Sequence, residues 1–328
     1  MTGKQQDRLV VMGGGSWGGA LADQLARAGQ PVTVLVRAPE TAAALQAGRL
    51  PRLGNAPLSG GLEASTDPAC LAEAAAIFLV LPVSAHAEAL GLIKSQARHN
   101  PPLILTAKGL VEDAERGGLF LPEWVAARAA DLPLAMLTGP SFADEVVVGK
   151  PAALMLAAAE TALAARLAGL FEGSNLRLYH SQDLIGAALG GAVKNVMAIA
   201  AGITIGLGFG DNARAGLMTR ALAETARLAA AVGAERQTIY GLSGLGDLIL
   251  SSAGPHSRNM AYGLALGRGE AVPAALAEGR FAAARLVGRA TFEGVEMPIA
   301  AAVDRLVNQQ ADLMQCVAEL LARQTGAE

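Results

Sequence analysis

A glycine-rich turn near the N-terminus restricts the possible folds of this chain more than any other feature. The sequence GGGSWG follows the apolar run of residues 9–12 and opens a helical pattern over residues 19–29. Gly13, Gly15 and Gly18 satisfy a G-x-G-x-x-G spacing. In this context the glycines allow a tight turn, close approach of the backbone to a pyrophosphate, and close packing of helix on strand. The motif therefore predicts a β-α-β unit that places a dinucleotide at a helix N-terminus.

The second predicted strand, residues 31–36, ends at Arg37. An acidic side chain at this place usually holds the ribose 2′-hydroxyl of NAD. Arg37 instead offers a cation to a 2′-phosphate, which favours NADP or the use of both cofactors. An ordinary exposed arginine at a strand end is the alternative interpretation.

Apolar runs continue the strand pattern through the first half of the chain. They cover residues 74–81, 103–106, 134–137 and 152–158, and residues 176–179 are predicted as the last strand of the sheet. Continuous apolar runs are typical of parallel strands that are buried on both faces. Loops at the carboxyl ends of such strands line the ligand crevice, so Lys108 and the turn at residues 138–145 are expected there. Lys108 can meet a phosphate or a carboxylate, although a solvated lysine is the alternative.

The strand pattern stops near residue 183, and helical patterns follow to the end. They cover residues 183–208, 213–232, 243–252, 257–267, 280–292, 298–309 and 311–323. A chain of 328 residues also exceeds the usual size of one core. We therefore predict an α/β fold with an N-terminal Rossmann-type doubly wound sheet (residues 1–185) and an all-α C-terminal domain (residues 186–328).

Lys194 lies in an apolar, glycine-spaced helical segment of this second half. Burial of an ammonium lowers its pKa and makes the lysine a usable proton acceptor near neutral pH. A lysine that extends along the surface to water is the alternative. Further along the chain, residues 257–259 (Ser-Arg-Asn) can open a helix and bind an anion, with a simple surface cap as the alternative.

Composition excludes several classes of partner. The 26 basic and 29 acidic side chains give a net charge of −3, without a basic run, so nucleic acid is not expected. Cys70 and Cys316 lie far apart without a metal-ligand pattern, so we expect no disulfide framework, no metal site and a cytoplasmic location. No uncharged apolar stretch reaches the ~18 residues of a membrane span, so membrane insertion is not expected.

Seven blocks of sequence resemble, in order, the motifs of NAD(P)-dependent glycerol-3-phosphate dehydrogenases of the bacterial type. They are residues 13–22, 107–110, 137–146, 194–203, 211–224, 242–248 and 257–259. The resemblance covers nearly the whole chain. It implies the cofactors NADP and NAD, and reduction of dihydroxyacetone phosphate to sn-glycerol 3-phosphate for phospholipid synthesis. The apolar helices of the second half suggest a homodimer.

The resemblance also implies site residues, position by position. The cofactor set is Gly13, Gly15, Ser16, Trp17, Gly18, Arg37, Lys108, Ala143, Arg258, Leu276 and Glu278. The substrate set is Lys108, Gly139, Ser141, Lys194, Asp247, Ser257, Arg258 and Asn259. Lys194 matches the proton acceptor, and Asp247 can orient its ammonium. Leucine replaces the usual valine at position 276, and residues 251–256 (SSAGPH) differ from the usual threonine- and cysteine-rich segment.

Two alternatives to this function remain open. One is another two-domain NADP-dependent reductase, acting on a 2-hydroxy acid or keto acid. The other is a protein that binds NADP as a sensor without turnover, because a fold does not by itself fix a function.

Overall fold

The structure is a computed structural model that describes residues 8–59, 61–254, 256–271 and 278–322, with the backbone alone at Glu278. The chain forms two compact units, and it passes from one to the other after Ala107, after Phe120 and after Ala187. The first unit holds the two N-terminal segments on either side of residues 108–120. The second holds residues 108–120 together with the C-terminal part. Whether residues 1–185 and 186–328 behave as separate domains stays a prediction.

Twelve strands are present in the described residues. They are β1 (Leu9–Met12), β2 (Val32–Leu35), β3 (Arg49–Leu50), β4 (Ala56–Pro57), β5 (Leu62–Ser65), β6 (Ala76–Leu79), β7 (Leu103–Leu105), β8 (Leu110–Asp113), β9 (Gly117–Phe120), β10 (Leu134–Thr138), β11 (Ala152–Ala158) and β12 (Leu176–Ser181). Eight of them form one sheet in the order β12-β11-β10-β7-β6-β1-β2-β5.

The α-helices in the described residues number fourteen. They are α1 (Ser16–Arg27), α2 (Pro39–Gln46), α3 (His86–Gln96), α4 (Leu121–Ala126), α5 (Ala143–Val147), α6 (Thr161–Gly169), α7 (Leu184–Gly206), α8 (Gly210–Ala231), α9 (Arg236–Tyr240), α10 (Asp247–Ser252), α11 (Arg258–Gly267), α12 (Glu278–Phe292), α13 (Pro298–Asn308) and α14 (Leu313–Leu321).

The eight-stranded sheet belongs to the first unit and confirms the Rossmann-type prediction. β1 pairs in parallel with β2 on one side and β6 on the other, so that Leu9 lies opposite both Val32 and Ala76. The central strands are fully buried and almost entirely apolar, as expected when helices cover both faces. The strand order reverses beside β1, which is where sheets of this kind bind their ligands.

Two features of this sheet were not predicted from the sequence. β5 adds an edge strand next to β2, and β11 pairs antiparallel with β10. β11 is as apolar as the central parallel strands β1 and β6, because a strand buried on both faces has the same composition in either direction. Strand direction therefore left no signal in the sequence.

The second unit is organised around α7. This helix packs very closely on α11, because an added Cβ at Gly202 would lie 2.2 Å from the carbonyl oxygen of Met260 and one at Gly263 would lie 2.0 Å from that of Ile199. α7 is long and apolar enough to cross a membrane by length and composition alone, although Lys194 interrupts its uncharged run. However, 83% of its most apolar stretch is buried inside the protein, as expected of a helix in a protein core.

Strands β8 and β9 form a β-hairpin that belongs to the second unit, although the segments on both sides of residues 108–120 belong to the first. The hairpin packs on α12. Arg285 donates a hydrogen bond to the carbonyl oxygen of Leu110 (3.0 Å), and Arg289 donates one to that of Gly118 (3.2 Å). These contacts join segments about 170 residues apart in sequence, so local sequence pattern could not reveal them.

Candidate active site

The glycine-rich turn of the first unit has the tight backbone that its spacing predicts. Gly13 has a φ of +119°, and a Cβ there would lie 2.3 Å from the carbonyl oxygen of Val80. A Cβ at Gly18 would lie 1.9 Å from the carbonyl oxygen of Gly13, so the turn and the first helical turn require glycine at both positions. At Gly15, by contrast, an added Cβ would meet no atom within 4 Å. The turn therefore leaves open space in front of this glycine.

The N-terminus of α1 suits an anionic group. Gly15 is the residue that precedes α1; no side chain caps the helix there, and its first turn has no acidic residue. The amides at this end and the positive end of the helix dipole favour a phosphate. This geometry fits the pyrophosphate of a dinucleotide.

Three further predicted cofactor residues lie in the first unit, two at the start of α1 and one after β2. Ser16 begins α1 and its hydroxyl donates a 3.5 Å hydrogen bond to the carbonyl oxygen of Arg52. Trp17 is partly buried and packs on the apolar core of the unit. Arg37 is exposed two residues beyond the end of β2. Their contacts with a cofactor remain predictions.

The turn after β10 carries the predicted residues Gly139, Ser141 and Ala143. Gly139 has a φ of +130°, and the hydroxyl of Ser141 donates a 3.3 Å hydrogen bond to its carbonyl oxygen. Ala143 begins the short helix α5. The turn follows the carboxyl end of a parallel strand, as the sequence predicts.

The second unit contains a buried cluster of two lysines, an aspartate and a serine. Lys194 of α7 donates a hydrogen bond of 2.9 Å to Oδ1 of Asp247 and one of 2.8 Å to the hydroxyl of Ser251. Lys108 donates to Oδ2 of the same aspartate. The Asp247 side chain is only 1% exposed, and the Lys194 side chain is 12% exposed. One carboxylate therefore lies between two ammonium groups.

This arrangement changes the proton affinities of the cluster. The pKa of Lys194 is lowered to about 8, because burial and the positive charge of Lys108 outweigh the opposing effect of Asp247. Burial alone would raise the pKa of Asp247, but the two ammonium groups outweigh it and hold that pKa below its usual value. At neutral pH the cluster holds an ionised carboxylate and a lysine that can release its proton.

The Ser-Arg-Asn triplet lies at the start of α11, within the same unit. The hydroxyl of Ser257 accepts a hydrogen bond from the amide of Met260, so Ser257 caps α11. Arg258 is exposed. Asn259 is buried and donates a 3.0 Å hydrogen bond to Oδ1 of Asn195, the residue after Lys194. The structure therefore brings the triplet to the part of α7 that carries the lysine.

Two members of this site, Ser251 and Asn195, were not predicted from the sequence. Ser251 holds the Lys194 ammonium, and its signal was the spacing of four residues from Asp247, which puts both side chains on one face of a helix. Asn195 pairs with Asn259, and nothing in the local sequence marks that pair. Leu276 lies outside the described residues, and Glu278 is the first residue of α12.

Comparison with known proteins agrees with this architecture. Family models described as the N-terminus and the C-terminus of NAD-dependent glycerol-3-phosphate dehydrogenase match residues 8–164 and 183–318. Curated proteins named glycerol-3-phosphate dehydrogenase (NAD(P)+) from Methylobacterium radiotolerans and Bradyrhizobium sp. are 45% and 44% identical to this chain. Each alignment covers 98% of this chain and 98% of the relative.

A solved structure extends the agreement to three dimensions. The crystal structure of glycerol-3-phosphate dehydrogenase from Coxiella burnetii is 35% identical and has a TM-score of 0.87. It covers 97% of this chain and 100% of that chain. Both halves of the sequence and the whole fold therefore give one answer: the chain belongs to the NAD-dependent glycerol-3-phosphate dehydrogenase family.

Proposed function

We propose that this protein interconverts dihydroxyacetone phosphate and sn-glycerol 3-phosphate with NADPH or NADH, and that Lys194 exchanges the proton. The observation that supports this role most strongly is the buried Lys194 ammonium, held by Asp247 and Ser251 with a pKa of about 8. A group with a pKa near the working pH is suited both to give and to take a proton. In the cell the product would supply the backbone of phospholipids.

The proton chemistry is assigned to the second unit. In the reducing direction Lys194 gives its proton to the carbonyl oxygen of the substrate as that oxygen becomes a hydroxyl. In the oxidising direction neutral Lys194 takes the proton back. The nicotinamide, when bound, supplies or accepts the hydride.

The neighbours of Lys194 set its orientation and its acidity. Asp247 and Ser251 each accept a hydrogen bond from its ammonium, which directs the remaining proton away from both. Lys108 shares Asp247 and adds a second positive charge. That charge makes Lys194 a stronger acid and can also attract the phosphate of the substrate.

Binding roles follow the chemistry of the remaining residues. Arg258, with the hydroxyl of Ser257 and the amide of Asn259, suits the substrate phosphate at the N-terminus of α11. Gly139 and Ser141 are assigned to substrate, and Ala143 to cofactor. Ser16, Trp17, Arg37, Leu276 and Glu278 complete the proposed cofactor contacts.

The test is oxidation of NADPH and NADH by the wild type and by Lys194→Ala. Dihydroxyacetone phosphate is compared with a panel of keto acids as substrate. We expect turnover of the triose phosphate, weak or no turnover of the keto acids, and loss of activity in the variant with cofactor binding intact. Preference for a keto acid would favour the alternative reductase, and binding of NADPH without oxidation by any carbonyl would favour a sensor.

A cytoplasmic homodimer without membrane insertion and without nucleic acid completes the proposal. The burial of α7 supports the absence of insertion, since its apolar faces are already covered. Large apolar side chains that remain exposed on the second unit, such as Ile249 and Phe281, are candidates for a dimer contact. Sedimentation at several concentrations gives the oligomeric state.

A further inference from the structure

Helix α12 is fixed to the second unit next to Lys194. The amide of Gly279, in its first turn, donates a 3.0 Å hydrogen bond to Oδ1 of Asn259, whose Nδ2 donates to Asn195. A Cβ at Gly279 would lie 2.6 Å from the carbonyl oxygen of Asn195, so the two helix backbones are in direct contact. The start of α12 is therefore held against the residue that follows Lys194.

Further along the same helix, α12 holds the β8–β9 hairpin. Arg285 donates to the carbonyl oxygen of Leu110 and forms a 3.7 Å ion pair with Glu112. The guanidinium of Arg289 donates to the carbonyl oxygen of Gly118 and lies 4.9 Å from the ring centre of Phe120. Leu110 and Phe120 face each other across the hairpin, so both arginines act on the same end of it.

The backbone of the hairpin also touches the backbone of α12. A Cβ at Gly117 would lie 2.5 Å from the Cα of Gly288, and one at Gly118 would lie 2.7 Å from the carbonyl oxygen of Arg285. Arg289 is itself held by Glu293, at 2.8 Å, and its side chain is only 4% exposed. The hairpin is therefore held on α12 by polar, cation–π and backbone contacts together.

Lys108 lies two residues before Leu110, at the end of the hairpin that the arginines hold. We propose that Arg285 and Arg289 are positioning residues that seat the hairpin on α12 and so fix the ammonium of Lys108 beside Asp247. The charged groups that face Lys194 from its neighbours are Asp247 on α10 and Lys108. Displacement of Lys108 removes its positive charge from the surroundings of Lys194. It also leaves Lys194 as the only ammonium of the cluster that is paired with Asp247. Both effects raise the proton affinity of Lys194, so α12 sets its acidity without contact with substrate.

The test measures the titration of Lys194 directly. The chain has five lysines, Lys4, Lys94, Lys108, Lys150 and Lys194, so protein labelled with 13C at lysine Cε gives a spectrum simple enough to assign by single substitutions. Titrations compare the wild type with Arg285→Met, Arg289→Met and Lys108→Met. Arg305→Met, which breaks an ion pair with Glu319 between α13 and α14, is the matched control.

We expect Lys194 to titrate at higher pH in Lys108→Met, by about half a pH unit or more. Arg285→Met and Arg289→Met should move its midpoint in the same direction, and Arg305→Met should leave it unchanged. Arg285 is partly exposed, so its replacement should disturb folding less than replacement of the buried Arg289. If Arg289→Met does not fold, Arg285→Met alone tests the positioning role. An unchanged Lys194 midpoint in folded Arg285→Met, or in Lys108→Met itself, overturns the proposal.

The inference rests on the proposed role of Lys194, and a second readout separates the two. The pH midpoint of kcat/KM for dihydroxyacetone phosphate should shift with the NMR midpoint across the same variants. An NMR shift without any triose phosphate activity would reject the proposed function and keep the positioning role. Activity with an unshifted NMR midpoint in the arginine variants would reject the positioning role and keep the function.

Discussion

Lys194 should give opposite pH profiles in the two directions of the reaction. Burial and Lys108 lower its pKa to about 8. Reduction needs the protonated amine and oxidation the neutral one, so kcat/KM for dihydroxyacetone phosphate should fall as the pH rises through about 8. The value for sn-glycerol 3-phosphate should rise through the same pH. Steady-state rates in both directions check this, and parallel profiles would contradict it.

Ser251 and Ser252 allow a matched test of the contact to Lys194. Both side chains are buried, but only Ser251 accepts a hydrogen bond from the ammonium, at 2.8 Å. Among the described atoms the hydroxyl of Ser252 has no partner. A hydrogen bond to a charged group contributes about 1.5–3 kcal/mol, so Ser251→Ala should lower kcat by about tenfold or more. Ser252→Ala should leave kcat near the wild-type value, and equal losses in both would show that the contact has no catalytic role.

At the residue scale, sequence could identify chemistry but not partners. Lys194 and Asp247 stand out because an isolated charge in an apolar helix needs a compensating group. The sharing of Asp247 between Lys194 and Lys108 could not be predicted, since Lys108 lies 139 residues from that aspartate. The sequence also could not tell whether burial or the charge of Asp247 dominates the pKa of Lys194, because the answer depends on the positions of both lysines.

The packing of the β8–β9 hairpin on α12 is tested by one glycine. Gly117 has a φ of +71° and almost touches the backbone of Gly288, whereas Gly233 has a φ of +74° with no atom within 4 Å of an added Cβ. Alanine at either site adds backbone strain, but only at 117 does it also push apart two backbones. We expect Gly117→Ala to destabilise the protein by about 2 kcal/mol more than Gly233→Ala. Urea denaturation measures both, and equal losses would mean that the hairpin is not tightly seated.

Glu224 connects helices α8 and α13 through a buried carboxylate. It is 2% exposed, and its two oxygens accept hydrogen bonds from the amide of Ile299 at 3.0 and 3.2 Å. Met297, the residue before α13, provides no side-chain cap, so Glu224 satisfies that helix end from another element. Burial raises the pKa of Glu224 to about 7, although the amides of Ile299 and Ala300 oppose the change.

The raised pKa of Glu224 predicts a pH dependence of stability. Between its ordinary pKa of 4.5 and about 7 the folded state binds a proton that the unfolded chain releases. The contribution of Glu224 to stability therefore falls as the pH rises through this window. Glutamine does not titrate, so Glu224→Gln removes this pH-dependent loss of stability. Between pH 5 and pH 8 the free energy of unfolding of the variant should therefore rise by on the order of 2–3 kcal/mol relative to that of the wild type. Urea denaturation at both pH values measures this change, and Glu319→Gln is the control at an exposed carboxylate. A difference in stability between Glu224→Gln and the wild type that stays constant with pH would contradict the prediction.

Over the whole molecule, the sequence predicted a Rossmann-type sheet followed by a helical region, whereas the places where the chain passes between the two units depend on packing. Composition changes near residue 185, because strand patterns end there, and the structure has a crossing after Ala187. The crossings after Ala107 and Phe120 leave no such change, since they depend on contacts between the hairpin and α12. Local pattern determines which elements form, and contacts distant in sequence determine which unit they join.

Binding of the cofactor should stabilise the whole molecule in a way that depends on Arg37. A ligand bound only to the folded state adds about 2.7 kcal/mol at a concentration one hundred times its Kd. If Arg37 holds the 2′-phosphate, Arg37→Ala should reduce the rise in Tm caused by NADPH and leave the rise caused by NADH unchanged. Arg98→Ala, which removes an exposed arginine paired with Glu73, should change neither. An equal loss with both cofactors would assign Arg37 a general role, because NADH has no 2′-phosphate to lose.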